Sequence, residues 1–152
     1  MAHLGRAVGH RPAPARRVEV LAINSISRNC LSLRSILGHT NWIVDWASDF
    51  REAMNFLESR PVAVVVCPAE MSGASWKDIL AAVVDLPNPP KVLIYAEHAA
   101  NDLWIDILNL GGYDFLPLPF VQELVLRTIS LASRQWNDDA RRKQQLTAAN
   151  VA

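Results

Sequence analysis

The side chains in this sequence that could carry chemistry are few and far apart. Cys67 could serve as a nucleophile or a redox-sensing thiol, and His98 could polarise it. A nucleophile needs an oriented base, and the base needs a partner of its own; no third residue completes such a set. Cys67 therefore reads as a small buried hydrophobe and His98 as a solvated loop histidine. Cys30 and Cys67 have neither a CxxC nor a Cys/His ligand spacing, which argues against a zinc site and a disulfide framework and fits a reducing, cytoplasmic setting. Glu70 and Glu97 could hold a weak cation, but carboxylates on loops are ordinarily solvated. Ser25 and Ser27 could offer hydroxyls and backbone N–H groups to a phosphate. The run Asn24-Ser25-Ile26-Ser27-Arg28 has no glycine, however, so a flavin-cradling loop is a poorer reading than a helix cap. These residues imply no catalytic set, no metal and no cofactor.

The elements that must position them follow from the hydrophobic pattern. From residue 18 onward short apolar runs alternate with helical periods, the mark of repeated βα units around a parallel sheet. Strands are predicted over residues 18–23, 42–46, 62–67, 91–96 and 113–116. VAVVVC and KVLIYA are nearly continuous and β-branched, as central strands covered on both faces should be. WIVDW alternates, which suits a sheet edge. Ser75-Trp76-Lys77-Asp78 has the form of a capping box for the third helix, and Ser48 and Asn101 can cap the second and fourth. Gly111-Gly112 should stop the fourth helix, and the last helix is expected over residues 121–136.

Composition bounds the rest. A chain of 152 residues, 51% hydrophobic and 20% charged, suits one globular domain. The formal net charge is zero, so the chain has no excess with which to hold a polyanion, and nucleic acid is disfavoured as a partner. No apolar run approaches the roughly 20 residues that cross a bilayer, and the N-terminus lacks the apolar stretch of a signal peptide. Residues 1–17 carry Arg6, Arg11, Arg16 and Arg17 without an acid and read as a flexible basic arm. Residues 18–136 form the domain, and residues 137–152 a polar tail or an extension of the last helix.

Five βα units in series fit a flavodoxin-like doubly wound sheet of five parallel strands with helices on both faces. Three segments narrow this further. GGYDFLPLPFVQELVLRTI resembles the end of a response-regulator receiver domain, where glycine, an aromatic strand and a Lys-Pro-Phe turn precede the last helix. VAVVVCPAEMSGASWKDIL resembles that family's phosphorylation strand, loop and third helix, and VEVLAINSISRNCLSLRSIL its first strand and helix. The resemblance to CheY-like receivers spans residues 18–136 and lies in order and spacing. It also implies a cis proline at Leu118-Pro119.

The polar residues depart from the family. A working receiver uses a carboxylate pair after the first strand and an aspartate after the third, which together hold magnesium and attack phosphorus. By the resemblance, the first positions fall on Asn24 and Ser25, and the third-strand position on Cys67 or, with one residue of slip, on Pro68. The hydroxyl position after the fourth strand matches Ala96, the lysine position Leu118, and the switch aromatic Phe115, which has no phenol oxygen. The chain thus reads as a degenerate pseudo-receiver.

On the fourth helix Leu103, Ile107 and Leu110 share the face that should meet the sheet. Trp104, Ile105 and Leu108 widen the apolar arc beyond what one sheet face needs, which suggests a contact surface. On the last helix Leu126 lies away from the face formed by Val121, Val125, Ile129 and Ala132. The family uses this region for dimers and partners. The resulting expectation is a cytoplasmic, non-enzymatic signalling domain of two-component type, not phosphorylatable, that binds another signalling protein or a second copy of itself. A small-molecule site in the emptied pocket, or redox sensing through Cys67, is the alternative. Recruitment of nucleic acid by the basic arm ranks below both.

Overall fold

The computed structural model describes residues 18–24, 29–97 and 101–151. The chain runs β1 (Glu19–Ile23), α1 (Asn29–Gly38), β2 (Ile43–Ala47), α2 (Phe50–Ser59) and β3 (Val64–Pro68). A short hairpin follows, β4 (Glu70–Met71) and β5 (Ala74–Ser75), and then α3 (Trp76–Val83), β6 (Lys91–Ala96), α4 (Asn101–Asn109), β7 (Asp114–Pro117) and α5 (Gln122–Val151). Five strands form one sheet in the order β2-β1-β3-β6-β7, and all its pairings are parallel. This is the doubly wound, flavodoxin-like architecture expected from the sequence. The small antiparallel hairpin was not expected; Gly73 turns it with φ of +76°.

Side-chain alternation along the strands divides the core into two layers. Val20, Ala22, Val64, Val66, Leu93 and Tyr95 face α1 and α5, where Leu33, Ile129 and Ala132 meet them. Leu21, Ile23, Val65, Cys67 and Ile94 face the other way, toward Leu57 of α2, Ile79 of α3 and Ile107 of α4. Every residue of β3 is buried, as a strand covered on both sides must be. β2 lies at the sheet edge and is mostly half-buried. Two of its side chains are engaged by charged residues of the flanking helices and loops: Asp45 meets Arg60 at 3.1 Å, and the Arg34 guanidinium sits 4.2 Å from the centroid of the Trp46 ring.

Helix ends obey local chemistry with two shifts, one of them at Asn101, which begins α4 as a helical residue rather than preceding it as the cap. The capping box at Ser75 forms in both directions, with Asp78 accepting from the Ser75 N–H at 2.8 Å. The cap of α2 is Asp49 rather than Ser48, and its carboxylate accepts from the Glu52 N–H at 2.8 Å. Phe50 packs on the core as the first helical residue, which leaves Asp49 at the flanking position where a side-chain oxygen reaches the first turn. α4 stops as expected. Gly111 takes φ of +96°, the Gly112 N–H reaches the Ile107 carbonyl at 2.7 Å, and the Gly111 N–H reaches that of Leu108 at 3.3 Å. The peptide bond between Leu118 and Pro119 is cis.

α5 does not stop near Trp136 but continues to Val151 for a total of 30 residues. Long-range contacts hold the first part of this extension. Trp136 donates its indole N–H to the Asn88 carbonyl at 3.1 Å, Asp139 pairs with Lys91 at 2.6 Å, and Lys143 bonds the Pro87 carbonyl. No helix among the described residues is long and apolar enough to cross a membrane.

Candidate functional site

In an open parallel sheet the natural ligand crevice lies outside the carboxyl ends of the strands, where the strand order reverses. With the order β2-β1-β3-β6-β7 that point falls between β1 and β3. Asn24 follows β1 there, its N–H bonded to the Ala47 carbonyl at 2.8 Å. Its side-chain oxygen Oδ1 is shielded from solvent and, among the described residues, accepts no hydrogen bond.

Register decides which residue of β3 stands at the mouth. Ala22 pairs with Val66, and Pro68 pairs with Tyr95, which in turn pairs with Leu116. Two residues further along β1, Asn24 is therefore level with Pro68. Cys67 lies one row deeper, fully buried against the α2–α3 layer. Its thiol donates to the Pro68 carbonyl at 3.1 Å, and burial pushes its pKa far above the ordinary thiol value. A thiol held protonated and out of solvent is a poor nucleophile.

Ala96 and Leu118 complete the same edge. Ala96 pairs with Pro117, and the Leu118 N–H donates to the Ala96 carbonyl at 3.0 Å. The Leu118 side chain packs on the α1–α5 layer, and Phe115 packs on the opposite one. Asn24, Cys67, Pro68, Ala96 and Leu118 are thus brought to one end of the sheet. Ser25, Ser27 and His98, and the basic arm of residues 1–17, lie outside the described residues. Glu70 and Glu97 are both exposed. Among the described residues no three His, Cys, Asp or Glu side chains come together as a group able to hold a metal ion.

Sequence reasoning missed the largest side chain of this region. Tyr95, 2% exposed, reaches from β6 across β3 and donates its hydroxyl to the Ile23 carbonyl at 3.0 Å. Phe120 meets its ring edge-on at 5.1 Å. A signal was present: Tyr95 is a polar aromatic near the carboxyl end of a central strand that is aliphatic from Val92 to Ile94.

The second candidate region is the outer face of α4. Trp104, Ile105 and Leu108 are 49%, 49% and 44% exposed, although large and apolar. Leu110 was expected to cover the sheet but is exposed, because the helix ends at Asn109 and the glycine turn carries it outward. Leu126 needs the opposite correction. It is half-buried against the α1–α5 layer and does not extend the exposed patch. Ser133, buried, widens the packed arc of α5 toward Leu126, and Thr128, also buried, widens its opposite flank, while Val121 is exposed. Two buried polar residues hid the true width of that arc from an apolar pattern.

No protein-family model matches the chain, and no curated protein matches it. Solved structures do. The signal receiver domain of an HD domain-containing protein from Pseudomonas fluorescens Pf-5 superposes with a TM-score of 0.78 at 20% identity, over 88% of this chain and 98% of that one. The signal receiver domain of a LuxO repressor protein from Vibrio parahaemolyticus gives 0.75 at 18% identity, over 82% and 96%. The beryllofluoride-activated NtrC4 receiver domain, solved as a dimer, gives 0.70 at 24% identity, over 78% and 98%. The chain has the receiver fold.

Proposed function

We propose that this chain is a receiver-like signalling domain that neither accepts a phosphoryl group nor catalyses a reaction, and that acts by binding protein. The observation that carries this reading is the row at the reversal point of the sheet, where Asn24 is level with Pro68. An amide and an imino acid offer neither a nucleophile for phosphorus nor the hard anionic oxygens that magnesium requires. Ala96 and Leu118 beside them add no hydroxyl and no ammonium. Neither candidate for the third-strand position of the receiver pattern could take a phosphoryl group in this reading: Pro68 has no nucleophile, and Cys67 is turned into the layer below.

The output surface in this reading is α4. Three exposed apolar side chains, one a tryptophan, form the kind of cluster that anchors protein contacts. One of the similar solved receivers is a dimer, and a second copy of this chain or another signalling protein is the partner class proposed here, in the cytoplasm. The alternative of a small molecule at the strand ends draws support from the unpartnered Asn24 oxygen, which would accept from a donor ligand. Redox sensing by Cys67 is disfavoured by its burial.

Two measurements test the proposal. Incubation with acetyl phosphate and Mg²⁺ should leave the intact mass unchanged, and a stable phosphoryl adduct would overturn the unphosphorylated reading. The double variant Trp104→Asp/Leu108→Asp should lower the solution mass of any self-assembly or abolish capture of a partner. Unchanged mass together with unchanged capture would remove α4 as the output surface.

A further inference from the structure

At the amino-terminal edge of the sheet, opposite Asn24 and Pro68, lies a cleft of about 680 Å³. That volume falls within the roughly 300–1,000 Å³ of small-ligand sites. Its apolar surface comes from Leu80, Val84, Pro90 and Leu110. Val84 and Leu110 are 65% and 54% exposed. As isolated surface residues they would need no explanation, but here they line one concavity.

The polar groups of the cleft are mostly of one sign. Lys77, Lys91 and Lys143 reach its lining against a single carboxylate, Asp139. Lys91 already takes up that carboxylate at 2.6 Å. Lys77 and Lys143 stay on the exposed rim, and among the described residues neither has a carboxylate partner. An apolar floor beneath ammonium groups that lack a carboxylate partner, Lys143 holding only the Pro87 carbonyl, is complementary to a molecule with an apolar body and an acidic head.

We propose that this cleft binds a small anionic amphiphile, an aliphatic chain or ring system bearing one carboxylate, sulfonate or phosphate. The apolar body would cover Val84 and Leu110, and the head would meet the rim lysines. The extension of α5 forms one wall. The Trp136–Asn88, Lys91–Asp139 and Lys143–Pro87 contacts tie that wall to residues lining the cleft. A ligand held between them favours the tethered state over the loosened one, so occupancy would firm the exposed end of the helix, where residues 141–149 have no core to pack on. The fold would thereby carry an input independent of the strand-end site.

The test uses 8-anilinonaphthalene-1-sulfonate on the full chain, followed by fluorescence and by hydrogen exchange. One probe should bind per chain and should slow amide exchange in residues 141–149. Val84→Asp, which puts a like charge against the apolar body, should weaken binding by about ten-fold, and Lys77→Glu should weaken it independently. Dodecanoate should displace the probe, and dodecyltrimethylammonium, with the same chain and the opposite head, should not. Trp104→Asp/Leu108→Asp should bind as the parent does. Absence of binding, binding undiminished in both cleft variants, loss of binding in the α4 variant, or equal displacement by the cationic amphiphile would each overturn the proposal.

Discussion

The Tyr95 hydroxyl donates to the backbone carbonyl of Ile23 at 3.0 Å, joining two strands that are not neighbours in the sheet. β3 runs between them, so the phenol ring spans the strand whose end carries Pro68. With Phe120 stacked edge-on against it, the α1–α5 side of the candidate site is closed by an aromatic wall rather than by polar ligands.

Tyr95→Phe keeps the ring and removes only the hydroxyl. Losing a buried hydrogen bond to a backbone carbonyl should lower stability by about 1–2 kcal/mol. Urea unfolding should show this as a lower midpoint with an unchanged slope. A midpoint equal to that of the parent would mean that the contact contributes nothing.

Cys67 should resist modification. In a Cys30→Ser background, Ellman's reagent at neutral pH should react only as fast as the domain opens, and mild denaturant should speed it. The pH dependence has a definite sign. The unfolded thiol releases its proton near 8.5 while the buried one retains it, so above that value the unfolded state binds fewer protons and stability falls by about 1.4 kcal/mol per pH unit. Cys67→Ala should flatten this alkaline slope relative to the same background.

Gly112 tolerates no side chain. A Cβ there would lie 2.5 Å from the Ile107 Cγ2 and 2.9 Å from the Ile107 carbonyl oxygen, the acceptor of the Gly112 N–H. Gly112→Ala should cost about 1–3 kcal/mol through overpacking. Gly111→Ala, with open space around the Cβ but φ of +96°, should cost about 1 kcal/mol from backbone conformation alone. Thermal unfolding of the two variants distinguishes the mechanisms by their order.

Acid should loosen the α5 extension. The hydrogen bond from Lys91 holds the Asp139 carboxyl below the ordinary carboxylate range, against a smaller opposing effect of burial. A group depressed in this way stabilises the fold above its unfolded pKa, and the contribution is lost as pH falls through the lower folded value, that is, below about pH 4. The two side chains are 24% and 34% exposed, so solvent screening keeps the effect within about 1 kcal/mol. Amide exchange after Asp139 should be faster in Lys91→Met at neutral pH, and the difference from the parent should shrink in acid.

Much of the architecture was legible in the chain because its causes are local. Continuous β-branched runs marked β3 and β6 as central, alternation in WIVDW marked β2 as an edge, and the Ser75 and Gly111 signals marked a helix start and a helix stop. Residue type at the strand ends was equally plain. Asn24, Ala96 and Leu118 carry no charge whatever surrounds them.

Other features were hidden because no local pattern encodes them. Cys67 and Pro68 are adjacent on β3 but serve opposite faces, since one residue along a strand exchanges one face of the sheet for the other, and only the register shows which of them is level with Asn24. At Leu126 the buried neighbour on the same flank of α5 is Ser133, which periodicity counts as polar.

Sequence alone determined the succession of the five βα units, though not the small hairpin after β3, and the neutrality of the strand ends, because both follow from residue type and near-neighbour spacing. Tertiary structure alone decided what those ends meet and how far α5 runs. The Tyr95–Ile23 bond joins residues 72 positions apart, and the Lys91–Asp139 pair residues 48 apart. Contacts over such separations exist only once the sheet has set its register, so the aromatic wall, the tethered helix and the cleft beside it are properties of the folded chain.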